Sequence, residues 1–431
     1  MKTAKRLLAA LLAALLTLSL AACDKDDLGV NIPTTQTGSD DFQRNMHQAD
    51  RNNFIETDTG FYFCYGPLYY IDKETMKATV VCGKPDCDHT DPDICNALLI
   101  ADYLLAGSDK LYYVDTVYSN GSNEKLIKSV KLDATDRETV QELKFNETSS
   151  SQSSYDKAIY HRGYIYYISD DILYRVALGG KKDSAEAIWS PENAGTTQSH
   201  GGLVDINPNA IRYTLWAEGD TLYFMANVQT TDGTYKDVLF QCDLTDMSVR
   251  QVWVTPDMDE VGKWERTGVK VSQWYVMGGY IFFYLSGGDL WRGDLSTGKN
   301  EKLADVHEKA PYGSAVFSDD YMCLLNDLPK DSATAAEINP SALRHYGGDT
   351  IFLYALDGTL IKEISLKSLI DELGDSLRID MLCCDSTDVY FLANVIAYSI
   401  QHGFSVGDTG AVILCRANFE TGEITQVYKL K

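Results

Sequence analysis

A short unit of two apolar and aromatic runs recurs along this chain, and it constrains the fold more than any other feature. In one copy, Gly163-Tyr164-Ile165-Tyr166-Tyr167-Ile168 is followed by Asp171-Ile172-Leu173-Tyr174-Arg175-Val176-Ala177-Leu178. Each run is bounded by Gly or Asp, as in a strand buried on both faces. Such a unit cannot cover its own apolar faces and must stack against copies of itself. Aligning the second strand of each copy on its central residue gives Tyr62, Tyr112, Tyr166, Tyr223, Phe282, Met322 and Tyr390.

Third strands are expected at Pro67 to Ile71, Lys125 to Leu132, Ile172 to Leu178, Val238 to Leu244, Asp289 to Leu295, Ile351 to Leu356 and Val412 to Ala417. Fourth strands follow through short polar turns, as at Ala78-Thr79-Val80-Val81, Ser248 to Trp253, Leu360 to Ile364 and Ile424 to Leu430. First strands lie just upstream, as at Tyr103 to Ala106, Tyr213 to Ala217 and Trp274 to Met277. Seven four-stranded units fill residues 52–430, about 54 residues each, which is the size of a propeller blade. The expected fold is all-β, a seven-bladed β-propeller over residues 51–431, with six or eight blades as the alternatives should one repeat be degenerate. Phe54-Ile55-Glu56 serves as the innermost strand of the first blade and Ile424 to Leu430 as the outermost of the last, so closure is by packing of whole blades. The 27 tyrosines, 14 phenylalanines and 32 glycines of the 431-residue chain suit many short strands and turns.

Residues 1–22 are set apart from the fold. Lys2, Lys5 and Arg6 precede the apolar run Leu7 to Leu20 in the order of a secretory signal, and the run is too short to be read first as a spanning helix. It ends in Leu20-Ala21-Ala22-Cys23, which resembles the bacterial lipobox, in which the cysteine is lipidated and begins the mature chain. Residues 23–50 are expected to form the lipidated Cys23 and a polar tether. Its 27 residues from Asp24 to Asp50 would reach roughly 90 Å if fully extended and average about 30 Å as a coil.

The formal net charge is −24; loss of residues 1–22 removes three basic and no acidic residues, leaving 35 against 62, or −27. So acidic a surface excludes the counterion-releasing basic face of a nucleic-acid binder and electrostatic adhesion to anionic lipid. Membrane attachment is expected through the lipid alone, at the outer face of the bacterial cytoplasmic membrane, with the protein a monomer.

The repeats and the lipobox together resemble propeller-bearing lipoproteins of Gram-positive bacteria that carry no assigned function, within the TolB-like propeller superfamily. The resemblance runs from Cys23 to the C-terminus and is one of fold; TolB itself has six blades where seven are counted here. Fold does not carry function.

Connections between strands one and two and between three and four read as short, among them Lys73-Glu74-Thr75 and Ser296 to Lys299. The opposite face holds the added length: Gly83 to Asn96, Ser190 to Arg212, Thr255 to Gln273 and Leu366 to Leu377 between blades, and Thr116 to Glu124, Asn227 to Asp237, Asn326 to Asp349 and Asn394 to Gly410 within them. Binding chemistry concentrates on such loops. Candidate ligand contacts are Trp264, Tyr346, Tyr398, His200 and His402, whose aromatic bodies and polar tips suit sugar or peptide; packing of the loops onto the blades is the plainer role for any one of them.

The densest constellation is Cys82-Gly83-Lys84-Pro85-Asp86-Cys87-Asp88-His89, followed by Cys95. Three thiols and an imidazole match the Cys₃His set of a structural zinc site, ordering a loop with no core of its own. A disulfide of Cys82 or Cys87 with Cys95 is the alternative, and it leaves His89 and one thiol unexplained. Gly403-Phe404-Ser405-Val406-Gly407 matches the G-x-S-x-G nucleophile elbow, but it sits between two strands of a blade and lacks the strand–turn–helix context that chemistry needs. HExxH, P-loop and G-x-G-x-x-G signatures are absent from the sequence. These features favour a lipid-anchored binding or scaffolding module for a glycan, peptide or envelope protein. A hydrolase or lyase acting on polysaccharide or peptidoglycan fragments at the channel mouth is the alternative.

Overall fold

The structure is a computed structural model that describes residues 54–82, 84, 86–99, 103–119, 122–142, 158–169, 172–179, 184–190, 206–207, 213–230, 235–256, 271–285, 289–306, 314–326, 348–373, 377–401 and 404–430. The described strands form seven antiparallel sheets, each with its strands in chain order from the inside out, and so make a seven-bladed β-propeller.

Blade 1 is β1 (Phe54–Glu56), β2 (Gly60–Cys64), β3 (Leu68–Asp72) and β4 (Ala78–Val80). Blade 2 is β5 (Tyr103–Ala106), β6 (Lys110–Ser119), β7 (Ser122–Lys131) and β8 (Glu138–Glu142), and blade 3 is β9 (Ala158–His161), β10 (Tyr164–Ser169), β11 (Ile172–Ala177) and β12 (Glu186–Trp189). In blade 4, β13 (Ile206–Asn207) and β14 (Tyr213–Glu218) both pair with β15 (Thr221–Thr230), followed by β16 (Tyr235–Asp243) and β17 (Val249–Val254). Blade 5 is β18 (Val271–Met277), β19 (Tyr280–Leu285), β20 (Asp289–Asp294) and β21 (Asn300–Asp305); blade 6 is β22 (Ser314–Phe317), β23 (Tyr321–Leu325), β24 (Thr350–Ala355) and β25 (Leu360–Ser365). A helix, α1 (Lys367–Leu373), leads to blade 7, which is β26 (Leu377–Cys384), β27 (Asp388–Gln401), β28 (Phe404–Asn418) and β29 (Ile424–Lys429).

All seven aligned residues, from Tyr62 to Tyr390, fall in second strands. The reason is visible in burial. Every residue of β2 is buried, and so is all of β19 after Tyr280, because neighbouring blades cover both faces of the inner strands. Outer strands such as β21 and β29 have no buried residue, since solvent covers what no blade does. Continuous apolar runs inside and polar strands outside follow from that difference.

Apolar clusters lie between successive blades and complete the ring. Phe54, Phe61 and Ile71 of blade 1 pack with Tyr390, Leu392 and Val412 of blade 7, so the first blade meets the last without a shared strand. Between blades 4 and 5, Trp253 lies over β20 and donates its Nε1–H to Asn300 Oδ1 at 2.6 Å. Gly293 makes room for it: a Cβ there would fall 2.2 Å from the Trp253 Nε1.

The repeat extends to side chains. In blade 3 the Arg175 guanidinium lies 5.1 Å from the Tyr164 ring centre and its Nε donates to Glu186 at 2.8 Å; blade 5 repeats this with Arg292, Tyr280 and Glu301. Turns from strand three to strand four share an Asx device. Asp72, Asp133, Asp243 and Asp294 accept the backbone N–H two or three residues on, and Asn418 does the same in blade 7.

Three of the long segments within blades are regular hairpins. Pairing of β6 with β7 continues to Ser119↔Ser122 and that of β27 with β28 to Gln401↔Phe404, while β15 and β16 stay paired to Gln229↔Tyr235. The connection after blade 6 holds α1, with Leu366 and Leu369 buried and Ile370 and Leu373 packed against the same core. Among the described residues no helix is long and apolar enough to cross a membrane.

Candidate functional sites: a cysteine–histidine cluster and a one-sided hairpin face

Cys82 follows β4 and begins the connection to blade 2. Four side chains of that connection converge. The Sγ atoms of Cys82, Cys87 and Cys95 and a ring nitrogen of His89 all lie within 4.8 Å of one another, so the cluster could hold a metal ion. Sγ of Cys82 and Sγ of Cys95 are 3.9 Å apart, and Nδ1 of His89 is 3.3 Å from Sγ of Cys95. A disulfide would need about 2.05 Å, and every described cysteine is a free thiol.

The loop is shaped to bring these atoms together. Cys87 N donates to Lys84 O and Cys95 N to Asp91 O, two local turns that fold the segment back on itself. His89 takes a left-handed φ of 55°, which His tolerates better than bulkier residues. Cys95 is buried and the other three are half-buried. A hydrogen bond from the His89 backbone N–H, with help from the neighbouring sulfurs, holds the Cys87 thiol below its ordinary value, while burial pushes Cys95 up to about 11. The strand cysteines differ: burial pushes Cys64, Cys242 and Cys415 up to about 12, which leaves them unreactive core residues.

The end of the connection is tied to both blades. Leu68 N donates to Ala97 O at 2.7 Å, and Pro67 bridges Leu98, both on the blade 1 side. From blade 2, Arg137 donates through Nη1 to the carbonyls of Cys95 and Leu98 at 3.4 and 3.2 Å, and through Nη2 to that of Pro92. Arg137 stands 42 residues from Cys95 in the chain, and nothing in the sequence links the two.

Hairpins and inter-blade connections emerge at one end of the propeller. In blade 2 the pairs from Thr116↔Lys125 to Ser119↔Ser122 run past the last partners of β5 and β8. In blade 7 the overhang runs from Ile396↔Thr409 to Gln401↔Phe404, about 20 Å of ribbon at the usual rise. At the hairpin roots, buried polar groups are satisfied internally. Asp115 pairs with Lys128, Asp237 accepts the Val271 N–H at 2.6 Å, and Asp289 lies 3.0 Å from Lys302. Asn326 accepts the Thr350 N–H and donates to Asp349, both at 2.9 Å. These groups brace the hairpins.

Tyr398 lies in β27 opposite Gly407. Ser405 and Val406 of the G-x-S-x-G match pair with Ile400 and Ser399 along the same straight ribbon, so the segment lacks the turn into a helix that a nucleophile elbow requires. Trp264, Tyr346, His200, His402 and Cys23 lie outside the described residues. On the opposite face, the Lys73 Nζ donates to Glu56 at 2.7 Å and to the Thr57 carbonyl at 2.8 Å, and it caps the Phe61 ring.

No protein-family model matches the chain, and no curated protein matches it. Among solved structures it is similar to an oligogalacturonate lyase in complex with manganese, at 11% identity and a TM-score of 0.41, covering 63% of this chain and 71% of that one. It is also similar to BamB from Moraxella catarrhalis, at 11% identity and a TM-score of 0.39 over 80% of each chain. Saccharomyces cerevisiae Sqt1 matches at 10% identity and a TM-score of 0.43, covering 91% of this chain and 86% of that one. Similarities at this level carry no statement about activity.

Proposed function

We propose that this protein is a binding or scaffolding module of the bacterial cell envelope, a monomer held by a lipid on Cys23 at the outer face of the cytoplasmic membrane. Its ligand is a glycan, a peptide or an envelope protein, and it rests on the hairpin face. One observation carries the reading: blades 2, 4 and 7 all prolong their central hairpin at the same end of the propeller. Blades 1 and 3 form the same sheet with shorter central hairpins, so the blade itself does not require that length. The blade 4 overhang is flanked by β13, whereas those of blades 2 and 7 have no described strand beside them and carry an ordering cost that a further contact would offset. Tyr398 lies in the blade 7 overhang; Trp264, Tyr346, His200 and His402 are the further contacts that the order of loops in the sequence assigns to this face, and the acidic charge excludes a nucleic-acid ligand.

The test is an array of cell-wall glycans, peptidoglycan fragments and envelope proteins probed with the chain from Asp24 onward. Saturable binding to one class supports the reading. Absence of binding across all three, or turnover of a bound polysaccharide into fragments, contradicts it.

A further inference from the structure

We propose that Cys82, Cys87, His89 and Cys95 bind one zinc ion in a closed four-ligand site that clasps the connection between blades 1 and 2. The reading is independent of any ligand on the hairpin face. Three thiolates and an imidazole are a donor set that suits zinc, and hard oxygen-seeking cations do not choose it. With Zn–S bonds of about 2.3 Å and a Zn–N bond of about 2.0–2.1 Å, a tetrahedron sets its ligand atoms about 3.5–3.8 Å apart. The observed 3.9 Å between the Cys82 and Cys95 sulfurs and 3.3 Å from His89 Nδ1 to the Cys95 sulfur bracket that edge length. Only small side-chain movements would bring all four atoms onto one centre, with up to three protons released from the thiols.

The competing chemistries fit less well. A disulfide would use two sulfurs and leave a thiol and an imidazole converging on nothing. An oxygen-ligated cation would need the acids of the loop, but Asp88 accepts the Thr90 N–H at 3.2 Å and Asp91 that of Asp93 at 2.8 Å. Both carboxylates thus serve local turns. Four protein donors also complete the tetrahedron and leave no position for a water, which separates this site from a catalytic zinc.

The position of the cluster gives the ion its role. The described residues between Cys82 and Cys95 place little apolar surface in the core, yet the connection ends by delivering Cys95, Ala97 and Leu99 into the cluster between blades 1 and 2. The ion joins the start of the connection at Cys82 to its end at Cys95, while Arg137 fastens that end to blade 2. Its loss is expected to loosen residues 82–99 and leave the blades folded.

The experiment measures metal content of the full-length chain, expressed with zinc available and purified without chelator, by plasma mass spectrometry. The expected result is one zinc per chain, falling to less than a tenth in Cys87→Ser and in His89→Ala, and unchanged in Asp88→Asn. Cys87 and His89 are only half-buried, so these variants report on the metal even if Cys95→Ser fails to fold. Cobalt in place of zinc should give thiolate charge-transfer bands and the intense visible bands of a tetrahedral ion. A zinc-free wild type, zinc retained by both Cys87→Ser and His89→Ala, or an intact mass about 2 Da low from a disulfide within residues 82–95 would each overturn the proposal.

Discussion

The ring of Phe61 in the first blade lies 4.5 Å from the ring of Tyr390 in the last, tilted by 51°. Both residues are buried, and their contact lies where the ends of the propeller meet. Among the described residues no strand is exchanged between these blades, and this apolar seam packs the first against the last. Phe61→Ala should therefore cost about 3–5 kcal/mol by cavity formation. Tyr280→Ala, at a position 37% exposed on β19, should cost about 1 kcal/mol or less. Urea denaturation of the two variants checks the difference.

Gly293 and Trp253 make a second prediction. A methyl group at Gly293 would collide with a fully buried indole whose N–H is committed to Asn300, so neither partner has room to give. Gly293→Ala should destabilise the chain by about 1–3 kcal/mol through overpacking, seen as a lower denaturation midpoint. The left-handed Gly163, where a Cβ would meet nothing within 4 Å, should lose about 1 kcal/mol on the same change from backbone strain alone.

Asp294 gives the pH dependence its sign. Hydrogen bonds from Ser296 and Thr297 hold its carboxyl below the ordinary 3.8. Its turn contribution is therefore fully present above that value and is lost as pH falls through the depressed one. Asp246 and Asp357, likewise lowered, act in the same direction. Asp294→Asn keeps the acceptor, as Asn418 does in blade 7, but does not titrate. Melting curves of wild type and Asp294→Asn should run parallel above about pH 5, with wild type falling more steeply below about pH 4.

Cys23 tests the anchor. Changing Cys23→Ser removes the acylation site that the lipobox resemblance implies, so the protein should leave the membrane fraction or stay unprocessed. A Cys23→Ser chain that still matures to a membrane-held form lacking residues 1–22 would contradict lipid anchoring at this residue.

Much of the fold is legible in the sequence because the inner strands are covered on both sides and leave uninterrupted apolar runs. Tyr62, Tyr166 and Phe282 mark them. The hairpin overhang of blade 2 is harder to read, since no described strand lies beside it to demand an apolar face, and Thr116 to Glu124 reads as loop. Asn120-Gly121, a strong two-residue hairpin signal, stands in that stretch. The helix α1 has its own mark in Leu366, Leu369, Ile370 and Leu373, spaced at three, four and seven residues, but seven residues are easily lost among turns. The four cluster residues declare themselves by type and spacing. Arg137, which fastens their loop, cannot be found that way because only the stacking of blade 2 on blade 1 brings it there.

Comparing the two faces on one binding array decides where the ligand rests. Wild type is probed beside a variant in which residues 397–408 are replaced by Asn-Gly, so that Ile396 and Thr409 flank a two-residue turn, and beside Lys299→Glu in the opposite turns. The shortened hairpin should weaken binding at least about tenfold, some 1.4 kcal/mol, while Lys299→Glu binds as wild type does. Loss of binding in Lys299→Glu with full binding by the shortened hairpin would contradict that prediction.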